Sequence, residues 1–156
     1  MAFYLVQLIN MNVSEIKVSF KPRIKARERT TVRSAKEAHR TFLAQWDKGL
    51  ISYQEQFKVM LLNNANQVLG IVDLAKGAMD SVPVDLKILF AIALKTSTRK
   101  IILAHNHPSG HLYPSQADKL LTRKTKEAGS LLDIEVCDHV IITSDGYYSF
   151  ADNGMM

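Results

Sequence analysis

The chain has 156 residues, of which 47% are hydrophobic, and a formal net charge of +5, values typical of about one globular domain. Its single cysteine, Cys137, excludes an internal disulfide and predicts a reducing, cytoplasmic setting in which the thiol packs in the core. The apolar runs fall short of the ~20 residues of a membrane span, and no basic region precedes the N-terminal apolar stretches as it would in a signal peptide.

The positive charge is concentrated near the N-terminus. Positions 17–40 contain nine Lys and Arg residues and two Glu residues, a net charge of +7, so the rest of the chain sums to −2. Residues 16–27 alternate between apolar side chains and polar, mostly charged ones, which places the two kinds on opposite faces of an extended chain. The even positions are Ile16, Val18, Phe20, Pro22, Ile24 and Ala26. The pattern predicts an amphipathic strand, and Pro22 favours an edge position.

Two interpretations of this strand are open. Its charged face could lie in water, where charge on an edge strand discourages aggregation. Alternatively, it could follow the phosphates of DNA, with contacts from Lys21, Arg23, Lys25, Arg27 and Arg29. The same edge could pair with another copy of the chain, which would make the protein a homo-oligomer.

A helix and a hairpin are predicted next. Ser34 to Glu37 has the spacing of a capping box, and apolar residues follow at helical intervals as far as Trp46, with Gly49 able to end the helix. Residues 55–62 and 67–74 have strand character, and the turn-prone sequence N-N-A-N between them predicts a hairpin.

The second half alternates helices with strands. Its predicted elements are a loop at Lys76–Pro83, an apolar helix at Val84–Lys95 supported at its start by Asp85, a buried strand at Ile101–Ala104, a helix at Ser115–Ala128 ended by Gly129, and strands at Ile134–Thr143 and Tyr147–Phe150. Hairpins combined with crossover connections predict an α/β (α+β) fold, a mixed β-sheet flanked by helices.

The segment from His105 to Asp118 contains the residues most typical of a metal site. In an extended chain His105 and His107 project to the same side, so both imidazoles can reach one ion. A turn follows, and Asp118 lies one turn into the helix that Ser115 begins. Two His and one Asp can supply three ligands to zinc, which leaves a fourth position for the water used in hydrolysis.

Ser115 and Glu55 each have two interpretations. Ser115 and Asp118 have the spacing of a capping box, which would give both a structural role. Glu55 shares the apolar alternation face of its strand. It is therefore either exposed at a frayed strand end or held near a cation, where it could act as a general base.

Two further histidines are weaker candidates. His111 lies between the candidate ligands, where it could line the site, although a position facing water is favoured. Asp138 directly precedes His139, as in the carboxylate–histidine pairs that support metal ligands, but a structural pair within a strand is favoured.

Residues Ile101–Asp118, I-I-L-A-H-N-H-P-S-G-H-L-Y-P-S-Q-A-D, resemble the metal motif of the JAB/MPN (JAMM) domain of RadC-type bacterial proteins. That motif is H-x-H, seven residues, then S-x-x-D. The similarity continues in E-x-F-x-V-x-L-L-N from Glu55, in D-H-V-I-I-T at 138–143 and in Y-Y-S-F-A-D-N-G at 147–154. It divides the chain into a basic segment at 1–33 and a RadC-type domain at 34–156.

The resemblance implies the cytidine-deaminase-like sandwich of JAB domains and a metallohydrolase centre with one Zn²⁺ per chain. His105, His107 and Asp118 would hold the zinc, Glu55 would be the general base, and Ser115 would help to stabilise the oxyanion. The bond cleaved would be an amide or isopeptide bond in a peptide or protein. The family's DNA-repair label keeps DNA association open as a second function, with the zinc site auxiliary or nucleolytic.

The chain departs from the family pattern in two places. Longer RadC-type proteins carry a helix–hairpin–helix module before this domain, and residues 1–33 are too few to form one, which predicts a short form. Where the family often has a G-T or glycine-rich turn before the central helix, this chain has A-K-G-A-M-D-S at 75–81. The shape of the substrate groove is therefore not predicted.

Overall fold

The computed structural model describes Ser14, residues 16–77 and residues 83–156. Within them, a mixed five-stranded sheet is flanked by three α-helices, which confirms the predicted fold class. The elements are α1 (Ala35–Ala44), β1 (Gln56–Leu62), β2 (Val68–Lys76), α2 (Leu86–Lys95), β3 (Lys100–Asn106), α3 (Gln116–Leu131), β4 (Glu135–Ile142) and β5 (Tyr147–Ser149). The strand order is β2-β1-β3-β4-β5, with β3 and β4 parallel and the other neighbours antiparallel.

The sheet is covered by helices on both faces, which explains the nearly continuous apolar runs of its central strands. One core layer packs α1 against even-numbered residues of the sheet, and it includes Phe42, Met60, Leu62, Ile102, Ala104, Val140 and Ile142. The other packs α2 and α3 against odd-numbered residues of β1 and β3, and it includes Phe57, Val59, Leu61, Leu89, Phe90, Ile101, Leu103 and Leu121. The two layers therefore follow the period-two alternation of the strands.

The strand predicted over residues 16–27 is not formed. The structure describes 16–25 as irregular chain, followed by a short 3-10 helix at Ala26–Glu28 and a single bridge from Thr31 to Gln67. Residues 16–28 are all exposed, and Ile16 keeps 86% of its surface. Alternation produces a strand only when one face covers an apolar surface, and this segment covers none. The homo-oligomer was suggested by this edge strand, and it stays a prediction. Residues 1–13 and 15 lie outside the described residues.

Gly129 does not end α3 as predicted, because this helix continues to Leu131. Gly129 instead allows the backbone of Ile134 to pass close to the helix, because a Cβ at position 129 would lie 2.4 Å from the Ile134 carbonyl oxygen. The Ile134 amide donates to the Gly129 carbonyl at 2.9 Å. The missing side chain thus allows α3 to turn directly into β4, which completes the parallel crossover from β3.

Two smaller differences and one agreement concern the remaining elements. Helix α1 ends at Ala44 rather than near Gly49, although Trp46 still packs in the core. Asp85 caps α2 as expected, since its carboxylate accepts from the Lys87 amide at 2.8 Å. Strand β2 extends into the predicted loop, and residues 78–82 lie outside the described residues.

None of the helices in the described ranges has the length and apolarity needed to cross a bilayer.

Candidate metal centre

The site forms where the end of β3 meets the start of β1. Strand β3 runs to Asn106, so His105 is a strand residue rather than the first residue after one. Strand β1 is antiparallel to β3 and pairs Phe57 with His105. Continued by two residues, this register sets Glu55 opposite His107 on the same face of the sheet.

His105, His107 and Asp118 converge at this point. The Nε2 atom of His105 lies 2.9 Å from Nε2 of His107 and 3.2 Å from Oδ1 of Asp118. The Nε2 atom of His107 lies 3.6 Å from Oδ2 of Asp118. Ligand atoms around a tetrahedral zinc ion are about 3.3 Å apart, given Zn–N and Zn–O bonds of ~2 Å. The three residues therefore form a group that could hold a metal ion.

The electrostatics of this group favour a positive charge. Burial raises the pKa of Asp118, but hydrogen bonds with His105, His107 and Ser115 outweigh it and hold that pKa well below its usual range. The pKa of His107 is raised, chiefly by its hydrogen bond to Asp118, with a small further contribution from Glu55. A carboxylate that stays ionised beside two imidazoles provides the environment that a cation requires.

The ring of His107 is oriented by a backbone carbonyl. Its Nδ1 lies 2.6 Å from the carbonyl oxygen of His111, and because a carbonyl can only accept, Nδ1 carries the proton. Nε2 of His107, which points at Asp118 and His105, is therefore the ring nitrogen that can give up its proton and coordinate a metal ion. His111 itself is exposed at the rim of the site, so it both faces water, as favoured, and lines the cavity.

Ser115 and Asp118 form the capping box that was one of their two interpretations. The Ser115 hydroxyl accepts from the Asp118 amide at 3.1 Å, and the Ser115 amide donates to Asp118 Oδ2 at 2.7 Å. The same hydroxyl lies 2.7 Å from Oδ2 and donates its proton there. The box thus orients the Asp118 carboxylate as well as starting α3.

Glu55 is buried, with 8% of its surface exposed, so the interpretation of a frayed strand end in solvent is wrong. It lines a cavity of about 470 Å³ together with the three candidate ligands and Ser115. The apolar part of the wall comes from Phe57, Val84, Pro108 and Leu121, and the exposed Tyr113 stands at the rim. A carboxylate that is not a member of the ligand group therefore shares one cavity with it.

Similarity to known proteins decides the family. The family described as "RadC-like JAB domain" matches residues 31–155, most of the chain. The chain belongs to this family. It is 48% identical over 101 residues to a UPF0758 protein of Flavobacterium johnsoniae, and 40% identical over 102 residues to one of Symbiobacterium thermophilum. Each match covers 65% of this chain and 44% of the relative, so the chain spans less than half the length of these curated relatives.

Asn106, between the two histidines of this RadC-like JAB domain, is a supporting residue that the motif does not reveal. It is fully buried on the opposite face, where its Oδ1 accepts from the Gln56 amide at 2.7 Å. Its Nδ2 donates to the carbonyls of Ile51 at 2.8 Å and Gln54 at 2.9 Å. Asn106 thus fixes the loop that carries Glu55 into β1. The available signal was an amide residue inside a buried strand, which requires partners.

His139 contacts the site, but without the carboxylate partner that its sequence neighbour suggested. Asp138 accepts from the backbone amides of His139 and Ala151 and from the Ser149 hydroxyl, at 2.7, 2.9 and 2.7 Å. Instead, the Nε2 atom of His139 lies 2.8 Å from Nδ1 of His105. Burial holds the pKa of His139 well below its usual value, so the ring is neutral.

Proposed function

We propose that this RadC-like JAB domain is a zinc-dependent hydrolase that cleaves an amide or isopeptide bond in a peptide or protein substrate. The observation that carries the proposal is the buried carboxylate of Glu55 in the same cavity as the group of His105, His107 and Asp118. A metal with a purely structural role has no use for a carboxylate beside its ligands.

The donor set supports zinc. Two imidazole nitrogens and one carboxylate oxygen are a three-ligand set typical of catalytic zinc, and they leave one position for water or substrate. When bound, zinc would supply a nucleophile at neutral pH by lowering the pKa of water to about 7, and it would polarise the substrate carbonyl.

Glu55 would move the proton. Its carboxylate would accept a proton from the attacking water and pass it to the leaving amine nitrogen. Apolar side chains in the wall of the same cavity, Phe57 and Val84 among them, would lower the local polarity and so strengthen the charge interactions there. Ser115 could stabilise the oxyanion only by turning its hydroxyl proton from Asp118 to the substrate oxygen, since it has one proton to donate.

The decisive experiment compares wild type with Glu55→Gln on a mixture of peptides and folded proteins, with cleaved products identified by mass spectrometry. Glu55→Gln should retain one zinc per chain and lose at least about 100-fold in hydrolysis rate, because the general base is gone. Glu37→Gln is the matched control, as the same change on α1 leaves the cavity intact. Normal hydrolysis by Glu55→Gln would exclude this base, and no cleavage by zinc-loaded wild type would exclude the hydrolase.

We propose DNA binding through the basic N-terminal segment as a second function. The observation that favours it is the exposure of residues 16–28, which leaves Lys21, Arg23, Lys25 and Arg27 on the surface next to Arg29. Cations on an irregular, exposed chain can follow a phosphate backbone without a fixed register. The zinc site would then be auxiliary to binding or act on the nucleic acid.

Duplex binding at increasing salt tests this second function. Affinity for a DNA duplex should fall steeply between 50 and 200 mM salt, by about tenfold or more, if several phosphates are contacted. Joint replacement of Arg23, Lys25 and Arg27 by Ala should weaken binding and flatten the salt dependence. Absence of binding at low salt would end the proposal.

A further inference from the structure

A continuous line of hydrogen bonds connects two members of the candidate metal centre through residues behind it. His105 Nδ1 lies 2.8 Å from His139 Nε2, and His139 Nδ1 lies 2.6 Å from the Thr122 hydroxyl. The Thr122 hydroxyl in turn lies 2.7 Å from the carbonyl oxygen of Asp118, one turn earlier in α3. Both ends of the line are therefore candidate ligands, and Thr122 and His139 link them.

The Asp118 carbonyl determines which atom donates in each of these hydrogen bonds. The Asp118 carbonyl can only accept, so the single hydroxyl proton of Thr122 points at it. The hydroxyl must then accept from His139, which places a proton on His139 Nδ1. A neutral imidazole has one proton, so His139 Nε2 is bare and accepts from Nδ1 of His105.

We propose that Thr122 and His139 are positioning residues that fix the tautomer of His105, so that its Nε2 offers a lone pair to the metal. The proposal rests on the proposed metal site. It gives the two histidines of the centre matching tautomers by different means, since the proton on His107 Nδ1 is held directly by the His111 carbonyl.

The surroundings of His139 hold its ring in the orientation that the line requires. His139 is fully buried, and its ring stacks on Phe150 with centroids 4.8 Å apart. Phe57 meets His139 edge-on at 5.6 Å and also stacks on His105 at 6.0 Å. A ring packed in this way cannot exchange its two nitrogens by rotating without disturbing the core.

Removal of the Thr122 hydroxyl should reverse the hydrogen bond between His139 and His105, so that His139 donates and His105 accepts. In Thr122→Val, the proton on His139 Nδ1 would face a methyl group, so it would move to Nε2. His105 would then accept at Nδ1 and carry its own proton on Nε2, where the metal binds. Loss of a residue that orients a metal ligand lowers metal affinity by about 10–100-fold.

The chain provides a matched control one turn further along the same helix. Thr125 is as buried as Thr122, and its hydroxyl donates to the Leu121 carbonyl at 2.7 Å in the same manner. Zinc affinity is measured by competition with a chromophoric chelator for wild type, Thr122→Val, Thr122→Ser and Thr125→Val. We expect a dissociation constant raised about 10–100-fold in Thr122→Val alone, with Thr122→Ser close to wild type. Equal affinities of Thr122→Val and Thr125→Val would overturn the proposal.

A second measurement needs neither a variant nor zinc. Long-range proton–nitrogen correlation spectra of the metal-free wild type, labelled with ¹⁵N-histidine, report which nitrogen of His139 is protonated. We expect protonated Nδ1 and bare Nε2, and the opposite tautomer would overturn the proposal. A wild type that has the expected tautomer but binds no zinc would instead contradict the proposed function.

Discussion

The candidate metal centre and the basic N-terminal segment are both dense groups of polar side chains, but they differ in burial and in hydrogen bonding. In the centre, His105, Asn106 and His139 are almost fully buried, and each is hydrogen-bonded to another part of the chain. In the N-terminal segment, residues 16–28 are exposed and lie outside the sheet. Polar groups that are buried must have fixed partners, so only the centre is preorganised for chemistry.

This difference predicts where substitutions will matter. In the centre, one side chain typically serves two purposes, as Ser115 does when it caps α3 and orients Asp118. In the basic segment, side chains should act additively and through charge alone. Four variants, one of them a triple replacement, test this contrast, from the largest effect to the smallest.

His107→Ala should abolish tight zinc binding, because it leaves two protein ligands where three are needed. Metal analysis after gel filtration measures the zinc retained per chain. His111→Ala is the control, since His111 lies at the rim of the same cavity and contributes its backbone carbonyl, which the substitution keeps. Full retention of zinc by His107→Ala would remove His107 from the ligand set.

Asn106→Ala should lower the free energy of unfolding by about 2–4 kcal/mol, because the Gln56 amide and two carbonyls lose their buried partner. Urea denaturation measures the loss. Asn63→Ala is the comparison: the Asn63 side chain also bonds to the backbone, since its Oδ1 accepts from two amides, but it lies in the less buried hairpin turn, so a smaller loss is expected. An equal loss in both variants would mean that Asn106 has no special role in holding the Glu55 loop.

Ser115→Ala should cost about 1 kcal/mol of stability, the typical value for a lost N-cap, and should also weaken zinc binding. Both effects follow from the bonds of Ser115 to the amide and carboxylate of Asp118. Ser34→Ala removes the cap of α1, far from the cavity, and should give a similar stability loss with unchanged zinc affinity. Equal zinc affinity in the two variants would mean that the Ser115 hydroxyl is not needed to orient Asp118 for the metal.

Joint replacement of Arg23, Lys25 and Arg27 by Ala should change the free energy of unfolding by less than about 0.5 kcal/mol, as is usual for exposed positions. Zinc affinity should stay at the wild-type value, while any DNA affinity falls. Thermal or urea unfolding of this variant provides the measurement. A loss of several kcal/mol would mean that the segment is part of the folded core, contrary to its exposure.

The sequence by itself determined the features that depend on local spacing. The period of two in H-x-H places His105 and His107 on one side, and the spacing from Ser115 to Asp118 predicts a helix start. Both are present in the structure, as are the hairpin, the buried strand and the helices on either side of the sheet. These properties follow from a few consecutive residues, so no knowledge of the rest of the chain is needed.

Only the tertiary structure decided the features that join distant residues. The register of β1 on β3 carries Glu55 from an ambiguous strand end into the cavity with His107, fifty-two positions later in the chain. The crossover of α3 onto the sheet brings Thr122 to His139, which the sequence associated with Asp138 instead. The alternation at 16–27 does not form a strand because its apolar side chains are left exposed. A local pattern offers an apolar face, but whether another element covers that face depends on the whole fold.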